Sequence, residues 1–202
     1  MKKLAFFLIL ALPAVVLADD GDGDKNLLKN GDFSSGINHW EGDCHTPDSS
    51  SFDPTATAPT SGVIIKLRHS DWTKVTQDFD GKIGEYIATV TYTVSPDLKF
   101  STKQDDYIAV PGKLGFTRLS NFDSPPGDWI LFINDLGAMH YTYWRITPKV
   151  DAPGAQKLTV QIQLDSDDSE KKGFFLAFPP GDGFITLQSI ELVPKATATA
   201  SQ

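Results

Sequence analysis

Apolar and polar residues alternate with a period of two through most of the interior of the chain. In EYIATVTYTV, Tyr86, Ala88, Val90, Tyr92 and Val94 fall on one side, and Ile87, Thr89, Thr91 and Thr93 on the other. In KLTVQIQLD, Leu158, Val160, Ile162 and Leu164 alternate with Thr159, Gln161 and Gln163. In GVIIKLR, Val63, Ile65 and Leu67 alternate with Ile64, Lys66 and Arg68. Successive side chains of a strand point to opposite faces, so each stretch reads as a strand with one face buried and one wet. Their Val, Ile, Thr and Tyr content agrees. The same pattern predicts strands over Asn26–Phe33, Lys74–Phe79, Trp129–Asn134, Tyr141–Thr147, Phe174–Phe178 and Phe184–Val193. The last changes parity, from Ile185 and Leu187 to Ile190 and Leu192, and a β-bulge near Gln188 accounts for the change. No stretch of about a dozen residues carries helical periodicity, and Pro-Gly joins such as Pro111-Gly112, Pro153-Gly154 and Pro180-Gly181 punctuate the strands. Many short strands between such turns imply an all-β sandwich or barrel.

The ends follow other rules. MKKLAFFLILALPAVVLA has two lysines, an apolar run from Leu4 to Leu12 and a small-residue boundary, the anatomy of a signal peptide cut after Ala18. The apolar run is short for a hydrocarbon core, and acidic DDGDGD follows at once, so no membrane span is expected. The product is then secreted to the extracellular space, the cell surface or the periplasm. An acidic flexible N-terminus over 19–25, one β-sandwich domain over 26–193 and a disordered tail over 194–202 complete the expected organisation. Without the leader the chain carries 16 basic and 26 acidic groups. Nucleic acid, which needs clustered cations, is excluded as a partner, whereas neutral polymers are compatible. Cys44 is the only cysteine, so no internal disulfide forms and stability rests on an apolar core.

NLLKNGDFSSGINHW, GVIIKLRHSDWTKVTQDFD, EYIATVTYTVS and FITLQSIELV together resemble the jelly-roll carbohydrate-binding modules that bind cellulose, xylan and β-glucan. The opening N-L-L-x-N-G-D-F and the later W-x-x-V-x-Q-x-F carry most of the likeness, which runs from Asn26 to Val193. The resemblance implies a jelly-roll β-sandwich of two antiparallel sheets that binds polysaccharide or oligosaccharide without catalysis. It also implies a structural calcium in many members, held by an acidic residue after the first Phe and an Asp pair on the final strand. This chain has Ser34-Ser35 and Gln188-Ser189 there, so no cofactor is expected.

Sugar recognition needs a flat aromatic face for the C–H side of a pyranose and planar polar groups for its hydroxyls. HYTYWRI supplies both. With Trp144 and Ile146 facing the core, Tyr141, Tyr143 and Arg145 share the opposite face. If the strands are neighbours, Gln161 and Gln163 with Thr89, Thr91 and Thr93 extend this platform. An ordinary solvated sheet is the alternative. Trp40, Trp72 and Trp129 read first as packing residues. Trp72 and Trp129, beside Asp71 and Asp128 where strands begin, are also candidate ligand contacts at loop tips. The acidic turn from Asp165 to Glu170 reads as a solvated hairpin. Glu41, Asp43, Cys44 and His45 match no standard zinc spacing, and Asp20, Asp22 and Asp24 fail the EF-hand pattern. Nothing matches G-x-S-x-G, H-E-x-x-H or a P-loop, so the chain is read as a non-enzyme. A second reading is a structural or adhesion module of the cell envelope that binds envelope proteins.

Overall fold

A computed structural model describes residues 25–45, 62–101, 107–112, 115–120, 127–135, 141–165 and 171–195. The side chains of residues 44, 45, 107–120, 135 and 141 are outside the description. The expected leader, the acidic run before Lys25, the Pro-, Ser- and Thr-rich sequence 46–60, where a surface loop is expected, Asp167–Glu170 and the last seven residues lie outside the described residues.

Every regular element among the described residues is a β-strand. They are β1 (Glu41–Gly42), β2 (Cys44–His45), β3 (Val63–Lys66), β4 (Thr73–Asp80), β5 (Gly84–Val94), β6 (Lys99–Phe100) and β7 (Tyr107–Gly112), followed by β8 (Gly115–Ser120), β9 (Trp129–Asp135), β10 (Tyr141–Ile146), β11 (Gln156–Leu164), β12 (Lys171–Phe178), β13 (Gly181–Asp182) and β14 (Phe184–Pro194). One five-stranded sheet has the order β1-β4-β12-β9-β10 and the other β11-β5-β14-β3-β2. All pairings are antiparallel; β6 with β13 and β7 with β8 make two-stranded additions. The period of two predicted the long strands well. β7 and β8 and the two-residue strands carry too little alternation to be found that way.

The core lies between the two sheets. Tyr86, Ala88, Val90 and Tyr92 of β5 meet Val75 and Phe79 of β4, Trp129, Leu131 and Ile133 of β9, and Phe174, Leu176 and Phe178 of β12. These are the inward residues that alternation assigns. The register of β14 against β5 shifts between Leu187 and Ser189, so the bulge falls where the parity change placed it. It lets Leu187 and Ile190, three residues apart, both reach the core.

The N-terminal segment corrects one expectation: Asn26–Phe33 is not a strand. Asn30, Phe33 and His39 have φ of 50°, 54° and 72°, so the chain turns repeatedly where a strand would run on. Two backbone bonds to β14 remain, Leu27 N–H to Leu192 C=O at 2.9 Å and Ile190 N–H to Gly31 C=O at 2.7 Å, and side chains supply the rest. Asn26 accepts from Leu192 N–H at 2.8 Å and donates to Ile190 C=O at 3.0 Å, as a backbone neighbour of β14 would. The Asn30 side chain donates to Gly36 C=O and Asn38 C=O, both at 2.9 Å, and accepts from Ser35 N–H at 3.0 Å, tying the following turn. Leu28, Phe33 and Trp40 are then delivered into the core.

Candidate functional site

Residues paired across a sheet share a face, so the registers define what the outer face of the β1-β4-β12-β9-β10 sheet presents. One row runs Tyr143, Phe132, Phe175, Thr76 and Glu41, crossing all five strands. The row beside it runs Arg145, Ile130, Ala177 and Lys74. On the other side, Asn134, Gly173 and Asp78 follow Tyr141 at its backbone position.

The middle of this face is closed. Phe132 and Phe175 stack at 4.6 Å with an interplanar angle of 9°, and together with Trp72, Ile130 and Ala177 they form a second apolar cluster, separate from the main core. All five are buried, Phe132 and Ile130 completely. An extended polymer therefore has no path across the centre of the sheet. Access remains at the two edges. At the β10 edge Tyr143 is 43% exposed and Arg145 is exposed, two residues apart on a regular strand. Trp144 and Ile146 alternate with them and pack inward, as expected. At the β1 edge, Lys29, His39, Glu41, Thr76, Gln77 and Asp78 surround a recess of about 260 Å³.

The sequence-predicted residues divide accordingly. Tyr143 and Arg145 share the outer face. Tyr141 has its backbone in register there, and its side chain lies outside the described residues. Gln161 and Gln163 do not join them: both are exposed on β11, on the outer face of the opposite sheet. Gln161 Nε2 there lies 3.4 Å from Glu85 Oε2. The platform that would have united them is split because β10 and β11 are edge strands of different sheets. Thr89, Thr91 and Thr93 lie on β5, beside β11, and so go with the glutamines. Trp129 is corrected outright. It is completely buried between Tyr92 and Phe178, with ring centroids 4.7 Å and 4.9 Å away, so no ligand reaches it. Trp72 belongs to the closed apolar cluster and is a packing residue.

Charge clusters near the β1 edge. Asp43 contacts the Arg68 guanidinium and accepts from Lys74 N–H at 3.1 Å, while Asp43 N–H donates to Lys74 C=O at 2.8 Å. Burial pulls the Lys74 ammonium below the ordinary lysine pKa, against the pull of Asp43 and Asp71. The residues around the recess come from three chain segments, which is why the sequence pattern missed them. The one local signal was the spacing of Thr76 and Asp78, which places both on one face of β4.

No family model matches the chain, and no curated protein matches its sequence. Among solved structures it is similar to the CBM22-1 xylan-binding domain of Xyn10C from Paenibacillus barcinonensis, at 11% identity with a TM-score of 0.51, over 87% of this chain and 98% of that one. The CBM22-1-CBM22-2 tandem domain of the same protein matches at 12% identity and a TM-score of 0.52, over 87% of this chain and 48% of that one. The chain has the jelly-roll fold of the carbohydrate-binding modules. The same jelly roll is similar, at 10% identity and a TM-score of 0.50, to the enzymatically active domain of tailspike protein 4 of bacteriophage CBA120, over 84% of this chain and 21% of that one.

In this jelly roll the positions expected to carry calcium ligands do not fit the ion. Asp32 accepts at one oxygen from Ser34 N–H at 3.2 Å and Ser34 Oγ–H at 2.9 Å, closing a local turn. Those bonds, the backbone one first, hold its carboxyl below the usual carboxylate range. Gln188 falls at the bulge, and Ser34, Ser35, Gln188 and Ser189 offer neutral oxygens but none of the carboxylates around which a calcium site is built. Among the described residues no three His, Cys, Asp or Glu side chains converge on a metal position.

Proposed function

We propose that the chain is an exported, non-catalytic module that binds neutral polysaccharide at the β10 edge of its outer sheet. The observation that carries this reading is the pairing of Tyr143 and Arg145. Tyr143 is one of three large apolar or aromatic side chains exposed among the described residues, and it stands on a strand rather than a loop. A phenol ring offers a flat apolar surface for the C–H face of a pyranose, and the guanidinium two residues along offers planar donors for its hydroxyls. The acidic charge of the chain suits an uncharged polymer. The jelly-roll fold supports the reading through the xylan-binding domain it resembles, which makes xylan the first polymer to try.

Affinity electrophoresis through gels containing xylan, β-glucan or mannan tests this. The wild type is expected to be retarded by at least one polymer. Tyr143→Ala should weaken that retardation about tenfold, equivalent to ~1.4 kcal/mol. Gln163→Ala, on the opposite sheet, should migrate like wild type. Unretarded migration of the wild type on every polymer overturns the proposal.

A further inference from the structure

We infer that the recess at the β1 edge is a second saccharide site, one that takes a single terminal sugar ring rather than the interior of a chain; this rests on the glycan-binding reading above. Thr76 and Asp78 lie two residues apart on β4 and so share its outer face, and Glu41 on β1 is paired directly with Thr76. Lys29 and His39 close the recess from the N-terminal segment.

That segment is held in place from several sides. Gln77 clamps Lys29 by accepting from its N–H at 2.5 Å and donating to its C=O at 2.9 Å. His39 follows Asn38, whose carbonyl Asn30 holds, and precedes Trp40, whose indole N–H donates to Asn30 C=O at 3.1 Å. Its φ of 72° is one a β-carbon residue adopts at a cost. Such strained positions concentrate where a side chain must be aimed at a site.

The chemistry selects the ligand. Glu41 and Asp78 offer carboxylate acceptors, the Lys29 ammonium offers three donors, and the Thr76 hydroxyl can do either. Mixed donors and acceptors, with the His39 imidazole as the planar ring in the wall, suit the vicinal hydroxyls of a neutral ring better than an apolar ligand. An anion would meet two carboxylates against one lysine. A metal ion is disfavoured because no triad of ligating side chains converges among the described residues. The volume of about 260 Å³ falls below the range usual for drug-sized ligands and suits one ring. The closed apolar centre separates this recess from Tyr143 by the width of the sheet, roughly 19 Å at the usual strand spacing. One chain therefore cannot run from one site to the other over the centre, and it is the one-ring volume that matches the recess to a chain end.

Backbone-amide NMR titration with xylobiose, cellobiose and mannobiose tests the inference. At least one disaccharide should give saturable shifts at Lys29, His39, Glu41 and Asp78, and the E41Q/D78N double variant should weaken its binding at least tenfold. Thr76→Val provides a second, milder variant with the same expected direction, and an otherwise superimposable spectrum establishes that each variant is folded. Polysaccharide retention by the wild type without disaccharide shifts at the recess overturns the second site alone. Absence of both overturns the glycan reading with it. Shifts at the recess with an organic amine such as ethanolamine, and none with any disaccharide, also overturn the inference by assigning another occupant.

Discussion

Gln77 is a buried amide that does the work of a missing strand, and replacing it gives the sharpest test of how the N-terminal segment is held. It is 5% exposed, and both ends of its amide are committed to the backbone of Lys29. Gln77→Leu keeps comparable volume but deletes both bonds. A neutral hydrogen bond contributes ~0.5–1.5 kcal/mol, and a buried group left unpaired costs ~1–3 kcal/mol. Lys29 is exposed and recovers part of this through water, so the expected loss is about 2 kcal/mol. With a urea slope of about 2 kcal/mol/M, the midpoint should fall by about 1 M while the slope stays unchanged. Hydrogen exchange at the Lys29 amide should accelerate about 30-fold, because each ~1.4 kcal/mol is tenfold. Gln77→Glu isolates the donor half. At neutral pH its carboxylate still accepts from Lys29 N–H but faces Lys29 C=O with no proton to give, in a buried position. It should therefore be less stable than Gln77→Leu at pH 7 and recover as the pH falls and the carboxyl becomes a donor. An unchanged midpoint and unchanged Lys29 exchange in Gln77→Leu would refute the reasoning.

Other expectations are as direct. A Cβ on Gly31 would collide with Ile190 C=O and the Asn26 side-chain amide, so Gly31→Ala should lower the thermal midpoint by several degrees or prevent folding, and a midpoint equal to wild type would contradict the close packing of this turn on β14. The Tyr92 hydroxyl donates to Lys149 C=O at 3.2 Å and accepts from Lys149 N–H at 2.8 Å, so Tyr92→Phe should cost about 1–2 kcal/mol in urea unfolding. Burial raises the Tyr92 pKa, against a smaller lowering from the Lys149 N–H. The stability linked to its neutral form is complete below the unfolded tyrosine pKa and is lost as pH rises through the higher folded value, a step that Tyr92→Phe should remove from the alkaline unfolding profile. Lys171 Nζ lies 2.8 Å from Asp80 Oδ1 and depresses that carboxyl. Its contribution is present above the unfolded aspartate pKa and vanishes as pH falls through the folded one; carboxyl NMR titration should show Asp80 returning toward the ordinary range in Lys171→Met, and an unmoved midpoint would refute the pairing.

The fold was legible wherever burial alternates. β4, β5, β11 and β14 have one face in the core, and a slip of one residue would expose every inward side chain, so their register is written into the pattern. Even the bulge at Gln188 was legible, because it moves the apolar parity from Ile185 and Leu187 to Ile190 and Leu192. β12 and β9 read differently. Phe174, Phe175, Leu176, Ala177 and Phe178 are all buried because both faces of this sheet's centre are covered, and their continuous apolar runs announce burial without saying what lies on each side. The segment from Asn26 to Phe33 was misread for a related reason. Leu28 and Phe33 are apolar anchors of a turn system, and the residues that shape it, Asn26, Asn30 and Gly31, act through side-chain bonds and close approach that no periodicity records.

The candidate site was half legible, and the missing half has a definite cause. Alternation along HYTYWRI correctly separated Tyr143 and Arg145 from Trp144 and Ile146, since that is a statement about one strand. Joining Tyr143 to Gln161 required knowing which sheet each strand enters, and parity is silent on that. Both β10 and β11 turn polar residues outward, yet outward from opposite sheets of a sandwich means pointing apart. The same geometry produces the recess on the far edge. Thr76 and Asp78 face outward from β4, the edge is capped by only two residues of β1, and the turning N-terminal segment leaves Lys29 and His39 to finish the wall. A long, regular β1 would have paired along more of β4 and filled that space with ladder. The polar recess thus follows from the same short strand and turns that make Asn26–Phe33 unreadable as a strand, so variants that straighten the segment should lose the recess before they lose the core.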